Sequence, residues 1–242
     1  LMAAEGLDAA AATRRMRDLE SAGCGTAEFY RLLQQDVGDR LLVDKTPANA
    51  LSVDILRRAE RLFTDSVYIH LVRHPAAMAA SFVEANLGSL WAPRITGPDS
   101  PAGLLDDISP AQMGELLWLV LNTNIEEFLA DVPSDRVAKV RFEDLVTDPA
   151  GALTPVCEVL GVDFSPALLD PYDRSTERMT DGLHDESRMI GDPKFHRHHG
   201  IDAARGHRWR TEASAISLSN PTREVAARYG YTDPLDEAPG ED

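Results

Sequence analysis

The sequence predicts an α/β fold in which a parallel sheet is flanked by helices. Short apolar runs of strand length alternate with longer segments whose apolar residues recur every three or four positions, a pattern typical of parallel sheets. Basic residues follow two of the apolar runs, at the edge where such sheets bind ligands. At 242 residues and 43% hydrophobic content, the chain is long enough for one domain with a substantial core.

Three strands are predicted, and helical segments separate them. The strands are residues 41–43, 67–72 and 137–142. The helices are residues 7–36 with a break at 23–25, residues 52–63, residues 75–84, a helix from Ser109 and Pro110 to Leu129, residues 148–161 with a kink at Pro155, and a last helix from Asn220 to before Gly230. Residues 86–107 and 172–210 carry few periodic signals and are predicted to be irregular. We therefore expect one domain over residues 1–232 and a disordered tail or linker over 233–242.

Composition excludes several classes of function. Twenty-four basic and forty acidic residues give a formal charge of −16, which argues against a nucleic-acid partner. No apolar run is long enough to span a membrane, and no signal peptide is visible. Two cysteines, Cys24 and Cys157, are too few for a disulfide framework, so we expect reduced thiols and a cytoplasmic protein.

Two strand ends carry residues suited to anions. In YIHLVRHPAAMAASF, an apolar run ends at Arg73, Pro75 starts a helix, and Ser81 follows about two turns later. A cation beside a helix N-terminus is a favourable place for a phosphate. Lys45 and Thr46 follow the preceding apolar run in VDKTP, so the two strand ends predict one ligand with several phosphate-like groups.

Three motifs together resemble the sulfotransferases that use 3′-phosphoadenosine-5′-phosphosulfate (PAPS). They are LLVDKTPANA, YIHLVRHPAAMAASF and VRFEDLVTDPAGALTPVCEVLGVDF, in the family's order. The later segment RMTDGLHDESRMIGDPKFHRHHGID resembles the sulfotransferase domains of modular polyketide synthases, of the curacin and olefin-synthase types. The resemblance implies a P-loop NTPase-like sulfotransferase fold, PAPS as donor, no metal, and a β-hydroxyacyl chain on an acyl carrier protein as acceptor.

The resemblance also assigns roles to residues. It implies that Lys45 and Thr46 contact the transferred sulfate, that Arg73 and Ser81 bind the donor's 3′-phosphate, and that Arg205 reaches the donor phosphate. Sulfuryl transfer resembles phosphoryl transfer, in which fixed cations stabilise the charge that develops. His196 matches the general base, and the residues expected to line the acceptor site are His184, Arg188 and Lys194.

Other interpretations of these residues remain open. The histidine-rich run HRHH is also compatible with a solvated loop, and its spacing does not support a zinc site. Glu143 and Asp144 are interpreted as capping residues rather than catalytic acids. The acceptor is alternatively a carbohydrate, a small alcohol or a tyrosine, and the chain is alternatively a nonenzymatic nucleotide-binding fragment.

One departure from the family is an absence. The N-terminal strand and Gly-rich phosphosulfate loop do not occur in these 242 residues, and the sequence begins LMAAEG. We therefore expect a truncated sulfotransferase fold that lacks this strand and loop. We also expect that this fragment alone neither binds PAPS tightly nor turns over.

Overall fold

A computed structural model describes residues 1–96, 107–173, 198–207, 209–212 and 216–231 of the chain. The chain divides into two compact units, and each is described by itself below. The first contains Leu1–Thr46 and Asp170–Ile201, and the second contains Pro47–Leu169 and Asp202–Asp242. The domain boundary at residue 232 stays a prediction, and the expected tail lies outside the described residues.

The N-terminal part of the first unit is helical, as the composition of residues 7–36 predicts. Its helices are α1 (Met2–Glu5), α2 (Ala9–Ser21) and α3 (Thr26–Val37). Asp8 begins α2 as an N-cap, since its carboxylate accepts the N–H of Ala11 at 2.7 Å. Gly23, with φ of 74°, lies between α2 and α3. The predicted break at residues 23–25 is therefore confirmed.

The predicted strand at residues 41–43 is wrong. Residues 41–46 form no helix or strand and are exposed; Leu41 is 55% exposed and Val43 is 71% exposed. A strand is stable only when a neighbour accepts and donates its backbone hydrogen bonds, and a short apolar run cannot supply that neighbour itself. Lys45 and Thr46 therefore follow a segment without regular secondary structure and do not mark a strand end.

The second unit contains the sheet and most of the helices. Its elements in chain order are a 3₁₀ turn (Pro47–Leu51), α4 (Val53–Leu62), β1 (Tyr68–Val72), α5 (Pro75–Glu84), α6 (Gly88–Thr96), α7 (Pro110–Leu129), a 3₁₀ turn (Ser134–Arg136), β2 (Val137–Arg141), α8 (Phe142–Thr147), α9 (Pro149–Leu160), 3₁₀ turns (Pro166–Leu169 and Ala203–Gly206), α10 (Trp209–Glu212) and α11 (Asn220–Ala227). The predicted helices of this unit and two of the three predicted strands are thus confirmed.

The prediction of an irregular segment over residues 86–107 is wrong in its first part, which forms α6. Pro93 lies inside this helix, and its presence favoured a loop in the sequence. The helix predicted from Ser109 and Pro110 is confirmed as α7, and Ser109 caps it through a capping box with Gln112. Within the described residues, no helix is both long and apolar enough to cross a membrane.

The two strands pair in parallel, with Tyr68 opposite Val137 and Val72 opposite Arg141. A parallel pair requires a crossover connection, and the chain between the strands includes α5, α6 and α7. Both strands therefore end at the same edge of the sheet, where Arg73 and α8 follow them.

The sheet is covered unevenly. On one face of β1, Val72 packs with Trp118 of α7 and with Val225 of α11. On the other face, Ile69 is 43% exposed and Leu71 is 53% exposed. The expectation that helices cover both faces is therefore met over only part of β1.

A close helix crossing holds α5 against α7. A Cβ added to Gly114 of α7 would lie 3.0 Å from the Ala79 Cα and 3.0 Å from the Phe82 Cβ, both in α5. A side chain at this position would require α5 to move by a few tenths of an ångström, because the nearest groups belong to the α5 backbone and a buried aromatic residue. The crossing places α7, and with it Trp118, directly behind the turn that starts α5.

Candidate active site

The candidate site is centred on the turn from β1 to α5, where one peptide group is held by two buried side chains. The Arg73 carbonyl accepts a hydrogen bond from the Trp118 Nε1 at 2.8 Å. The next backbone N–H, that of His74, donates to the Glu143 Oε1 at 3.0 Å. Trp118 and Glu143 are both buried. The turn is thus fixed from two sides, by α7 and by α8.

The Arg73 side chain lies against α8. Its guanidinium carbon is 4.7 Å from the centre of the Phe142 ring, a cation–π distance, and the residue is half-buried. The planar fork of guanidinium N–H groups is the geometry that phosphate oxygens accept, and the contact with the ring gives this fork a defined place. The predicted anion-binding residue therefore has a defined position at the edge of the sheet.

The N-terminus of α5 offers fewer amides than the sequence suggests. Pro75 has no N–H, and the Ala76 N–H donates to the Nδ1 of His74, the N-cap, at 3.2 Å. The His74 ring stacks on Trp209 with centroids 3.9 Å apart and planes 12° apart, and Ala77 is also buried. Pro75 and Ala76 therefore offer no N–H to an anion at this turn, and the Arg73 side chain is the predicted anion-binding group there.

Ser81 lies further along the same helix. It is six residues after Pro75, which corresponds to about 9 Å along the helix axis. The residue is half-buried, and its hydroxyl has no hydrogen bond among the described residues. The structure thus places Ser81 on the predicted helix, in the same unit as Arg73.

Arg205 is brought to the same short helix as Arg73. It lies in the turn Ala203–Gly206, and a Cβ on Gly206 would lie 2.8 Å from the Thr147 Cγ2 and 3.2 Å from the Glu143 carbonyl oxygen. The turn therefore packs tightly on α8. The Arg205 Nε is 3.6 Å from the Asp202 Oδ2, and the side chain is half-buried. The Arg73 side chain and the turn that carries Arg205 thus both contact α8.

Lys45 and Thr46 belong to the first unit. Both are exposed, and the Thr46 hydroxyl donates to the Asp44 Oδ1 at 2.7 Å. Burial, together with the Asp44 carboxylate, raises the pKa of Tyr30 in this unit. The Lys45 ammonium has no ion pair or hydrogen bond within the described part of the chain. Its assigned role stays a prediction.

The expected acceptor site lies outside the described residues. This applies to His184, Arg188, Lys194 and His196, whose roles stay predictions. Among the residues that are described, no group of three or more histidine, cysteine, aspartate or glutamate side chains is close enough to hold a metal ion.

Sequence reasoning missed the side chains that support Arg73. Glu143 was interpreted as a cap, but its carboxylate binds the N–H of His74 in another element and accepts from the Tyr231 hydroxyl at 2.6 Å. Burial, and then this hydrogen bond, raise the pKa of Tyr231, which keeps the hydroxyl a donor at neutral pH. Tyr231 lies 88 residues after Glu143, so no spacing pattern in the sequence pairs them.

Comparison with known proteins places the chain in context. Residues 2–166 match the model of the sulfotransferase family. The chain is similar to the sulfotransferase domain from the curacin biosynthetic pathway, with 35% identity, a TM-score of 0.82, and coverage of 96% of this chain and 77% of that one. It is also similar to the sulfotransferase domain from the Synechococcus PCC 7002 olefin synthase, with 33% identity, a TM-score of 0.79, and coverage of 97% and 74%. No curated protein matches.

Proposed function

Because the chain belongs to the sulfotransferase family, we propose that it transfers a sulfuryl group from PAPS to the hydroxyl of a β-hydroxyacyl chain on a carrier protein. The observation that carries the proposal is the fixed, half-buried Arg73 at the carboxyl edge of the parallel strands. Ligands of α/β sheets bind at that edge, and a guanidinium fork suits a phosphate.

Arg73 is assigned to the donor's 3′-phosphate, with Ser81 as a hydroxyl partner and Arg205 as a second cation. The contact of the Arg73 guanidinium with Phe142, and the packing on α8 of the turn that carries Arg205, support this assignment. Arginine side chains suit a dianionic group better than a neutral one. Lys45 and Thr46 are assigned to the sulfate side of the donor, where a point charge with rotatable donors stabilises the charge of the transferred group.

The reaction is an in-line displacement. The acceptor oxygen attacks sulfur, the bond from sulfur to the bridging oxygen of the donor breaks, and 3′-phosphoadenosine-5′-phosphate (PAP) leaves. The hydroxyl proton passes to the imidazole of His196, because imidazole is the side chain used most often as a general base. The expected acceptor residues His184, Arg188 and Lys194 belong to the same proposal.

Thermal unfolding in the presence of PAP tests the donor site. We expect PAP to raise the midpoint in proportion to ln(1 + [L]/Kd), and adenosine 5′-phosphate, which lacks the 3′-phosphate, to raise it less. Arg73→Ala should remove most of this difference. Arg57→Ala is the matched control, because Arg57 pairs with Glu127 and Asp131 on the surface. No shift at saturating PAP in the full-length natural polypeptide would refute the proposal.

The acceptor is tested by mass spectrometry. We expect PAPS-dependent gain of one SO₃ on a β-hydroxyacyl carrier protein and no comparable gain on a free sugar, a simple alcohol or a tyrosine peptide. His196→Ala should lower kcat while PAP affinity is unchanged, since a general base acts only on the acceptor proton. Preferential sulfonation of one of the other acceptors would replace the carrier-bound acyl chain as the substrate.

A further inference from the structure

The peptide group that joins Arg73 to His74 is held at both of its polar atoms. Its carbonyl oxygen accepts from the Trp118 indole, and its N–H donates to the Glu143 carboxylate. A peptide group is planar, so two hydrogen bonds on opposite sides fix its orientation, and with it the ψ angle of Arg73. The direction in which the Arg73 side chain leaves the backbone is therefore set by buried groups on α7 and α8.

Glu143 is itself held in place. The Tyr231 hydroxyl donates to its second oxygen at 2.6 Å, and both residues are buried. A buried carboxylate is expensive unless its oxygens are satisfied, and here each oxygen accepts one hydrogen bond from a neutral donor. The carboxylate is thus locked between the C-terminal Tyr231 and the turn that carries Arg73.

The residue before Glu143 contacts the Arg73 side chain. The Phe142 ring lies under the guanidinium at 4.7 Å, while the Glu143 carboxylate binds the adjoining backbone. Two consecutive residues at the start of α8 therefore hold the two ends of Arg73, its backbone and its charged head. A displacement of Glu143 would move the backbone of Arg73 relative to the ring on which its head rests.

From this arrangement we propose that Glu143 is a positioning residue for donor binding, which acts through Arg73 to favour ligands that carry a 3′-phosphate. The inference rests on the proposed function, in which Arg73 binds that phosphate. Glu143 does not touch the donor. It holds the peptide group after Arg73, so the guanidinium is already oriented for the phosphate before binding. Binding then carries little entropy cost for ordering the turn.

Calorimetry on the full-length natural polypeptide measures the preference for PAP over adenosine 5′-phosphate. We express this preference as a ratio, the Kd of adenosine 5′-phosphate divided by the Kd of PAP. Arg73→Ala should lower this ratio about ten- to a hundredfold, the value of one charge-assisted contact. Glu143→Ala should lower it about tenfold. Glu143→Gln should keep it within about threefold of the wild type, because the amide oxygen still accepts from His74 and the amide nitrogen can donate to Tyr231.

Two further variants separate positioning from a loss of stability. Glu115→Gln alters another buried carboxylate, which accepts the Ser219 N–H at 2.6 Å and has no contact with the Arg73–His74 peptide. It should lower the melting temperature but leave the ratio within about twofold. Tyr231→Phe keeps the ring but removes the hydrogen bond to one Glu143 oxygen, so it should lower the ratio about threefold. If Glu143→Ala does not fold, Tyr231→Phe tests the inference in its place.

The results with these variants test the positioning role of Glu143 separately from the binding of the 3′-phosphate by Arg73. If Arg73→Ala lowers the ratio while Glu143→Ala and Tyr231→Phe leave it unchanged, Glu143 is not a positioning residue. The inference is also wrong if PAP and adenosine 5′-phosphate weaken equally, or if Glu115→Gln lowers the ratio as much as Glu143→Ala. In the Arg73→Ala background, Glu143→Ala should have no further effect on the ratio. If Arg73→Ala itself preserves the ratio, the assignment of Arg73 to the 3′-phosphate is wrong.

Discussion

Replacement of Gly206 by alanine should loosen the turn that carries Arg205. Gly206 is buried against α8, and a Cβ there would lie 2.8 Å from the Thr147 Cγ2, 3.2 Å from the Val146 Cγ2 and 3.2 Å from the Glu143 carbonyl oxygen. The Thr147 methyl has little freedom to move away, because the same side chain donates its hydroxyl to the Glu143 carbonyl at 2.8 Å. The added methyl group must therefore push the turn off the helix.

The expected cost follows from two opposing terms. Overpacking of a buried site costs about 1–3 kcal/mol. Replacing glycine by alanine also lowers the backbone entropy of the unfolded chain, which stabilises the folded state by about 0.4–1 kcal/mol. The free energy of unfolding should thus fall by about 1–2 kcal/mol, and at about 2–4 °C for each kcal/mol the melting temperature should fall by about 2–8 °C.

Urea unfolding with matched variants measures this cost. Gly88→Ala is the control, since a Cβ there meets no atom within 4 Å, and its midpoint should stay at or slightly above that of the wild type. Thr147→Ser removes the obstructing methyl and keeps the hydroxyl, so Gly206→Ala should cost about half as much in that background. A wild-type midpoint for Gly206→Ala, or a cost that Thr147→Ser does not change, would refute the steric argument.

Two further predictions concern the sheet. Burial lowers the pKa of His70, although its hydrogen bond to Asn122 opposes the shift. The unfolded chain therefore binds the proton first, so the free energy of unfolding should fall as pH drops below about 6.5. In urea titrations between about pH 7.5 and 5.5, His70→Gln should make the free energy of unfolding depend less on pH. Equal pH dependence in the wild type and the variant would contradict the prediction. Arg136→Met should cost about 1–2 kcal/mol by calorimetry, because the Glu60 Oε1 and the Ser66 carbonyl lose their donor, and within the described residues Glu60 keeps only its hydrogen bond from Tyr68. The more exposed Arg57→Met should cost less than about 0.5 kcal/mol, and equal costs would contradict the argument.

Local signals in the sequence predict the elements whose causes are local. The capping box at Ser109 and the left-handed Gly161 that ends α9 depend on residues within one turn, and both occur where the sequence places them. The run at residues 41–43 fails as a strand because its stability depends on a neighbour, which no pattern within the run can supply. Helix α6 escapes prediction for the opposite reason: its apolar side chains pack on Phe82 and Met113, and this packing outweighs the proline within it.

The same distinction applies to the site. Arg73 is predictable because a basic residue between an apolar run and a proline is a local signal for a strand end. The side chains that hold it are not predictable in this way. Trp118 lies 45 residues away from Arg73 and Glu143 lies 69 residues away from His74, and the fold alone brings them to one peptide group. The sequence thus identifies the charged group, whereas the structure identifies what orients it.

The surroundings of Arg73 argue that orientation, and not charge alone, is what this turn provides. Pro75 has no N–H and the Ala76 N–H is bonded to the His74 cap, so the Arg73 side chain supplies positive charge that these two positions do not. A lysine there would keep the charge but lose the bidentate fork, and its ammonium would move on a flexible stem. A guanidinium that rests on a ring and whose backbone is also fixed loses little entropy when it binds a phosphate. Both the ring beneath Arg73 and the carboxylate behind it therefore serve the same end, which is a preformed fork at the edge of the sheet.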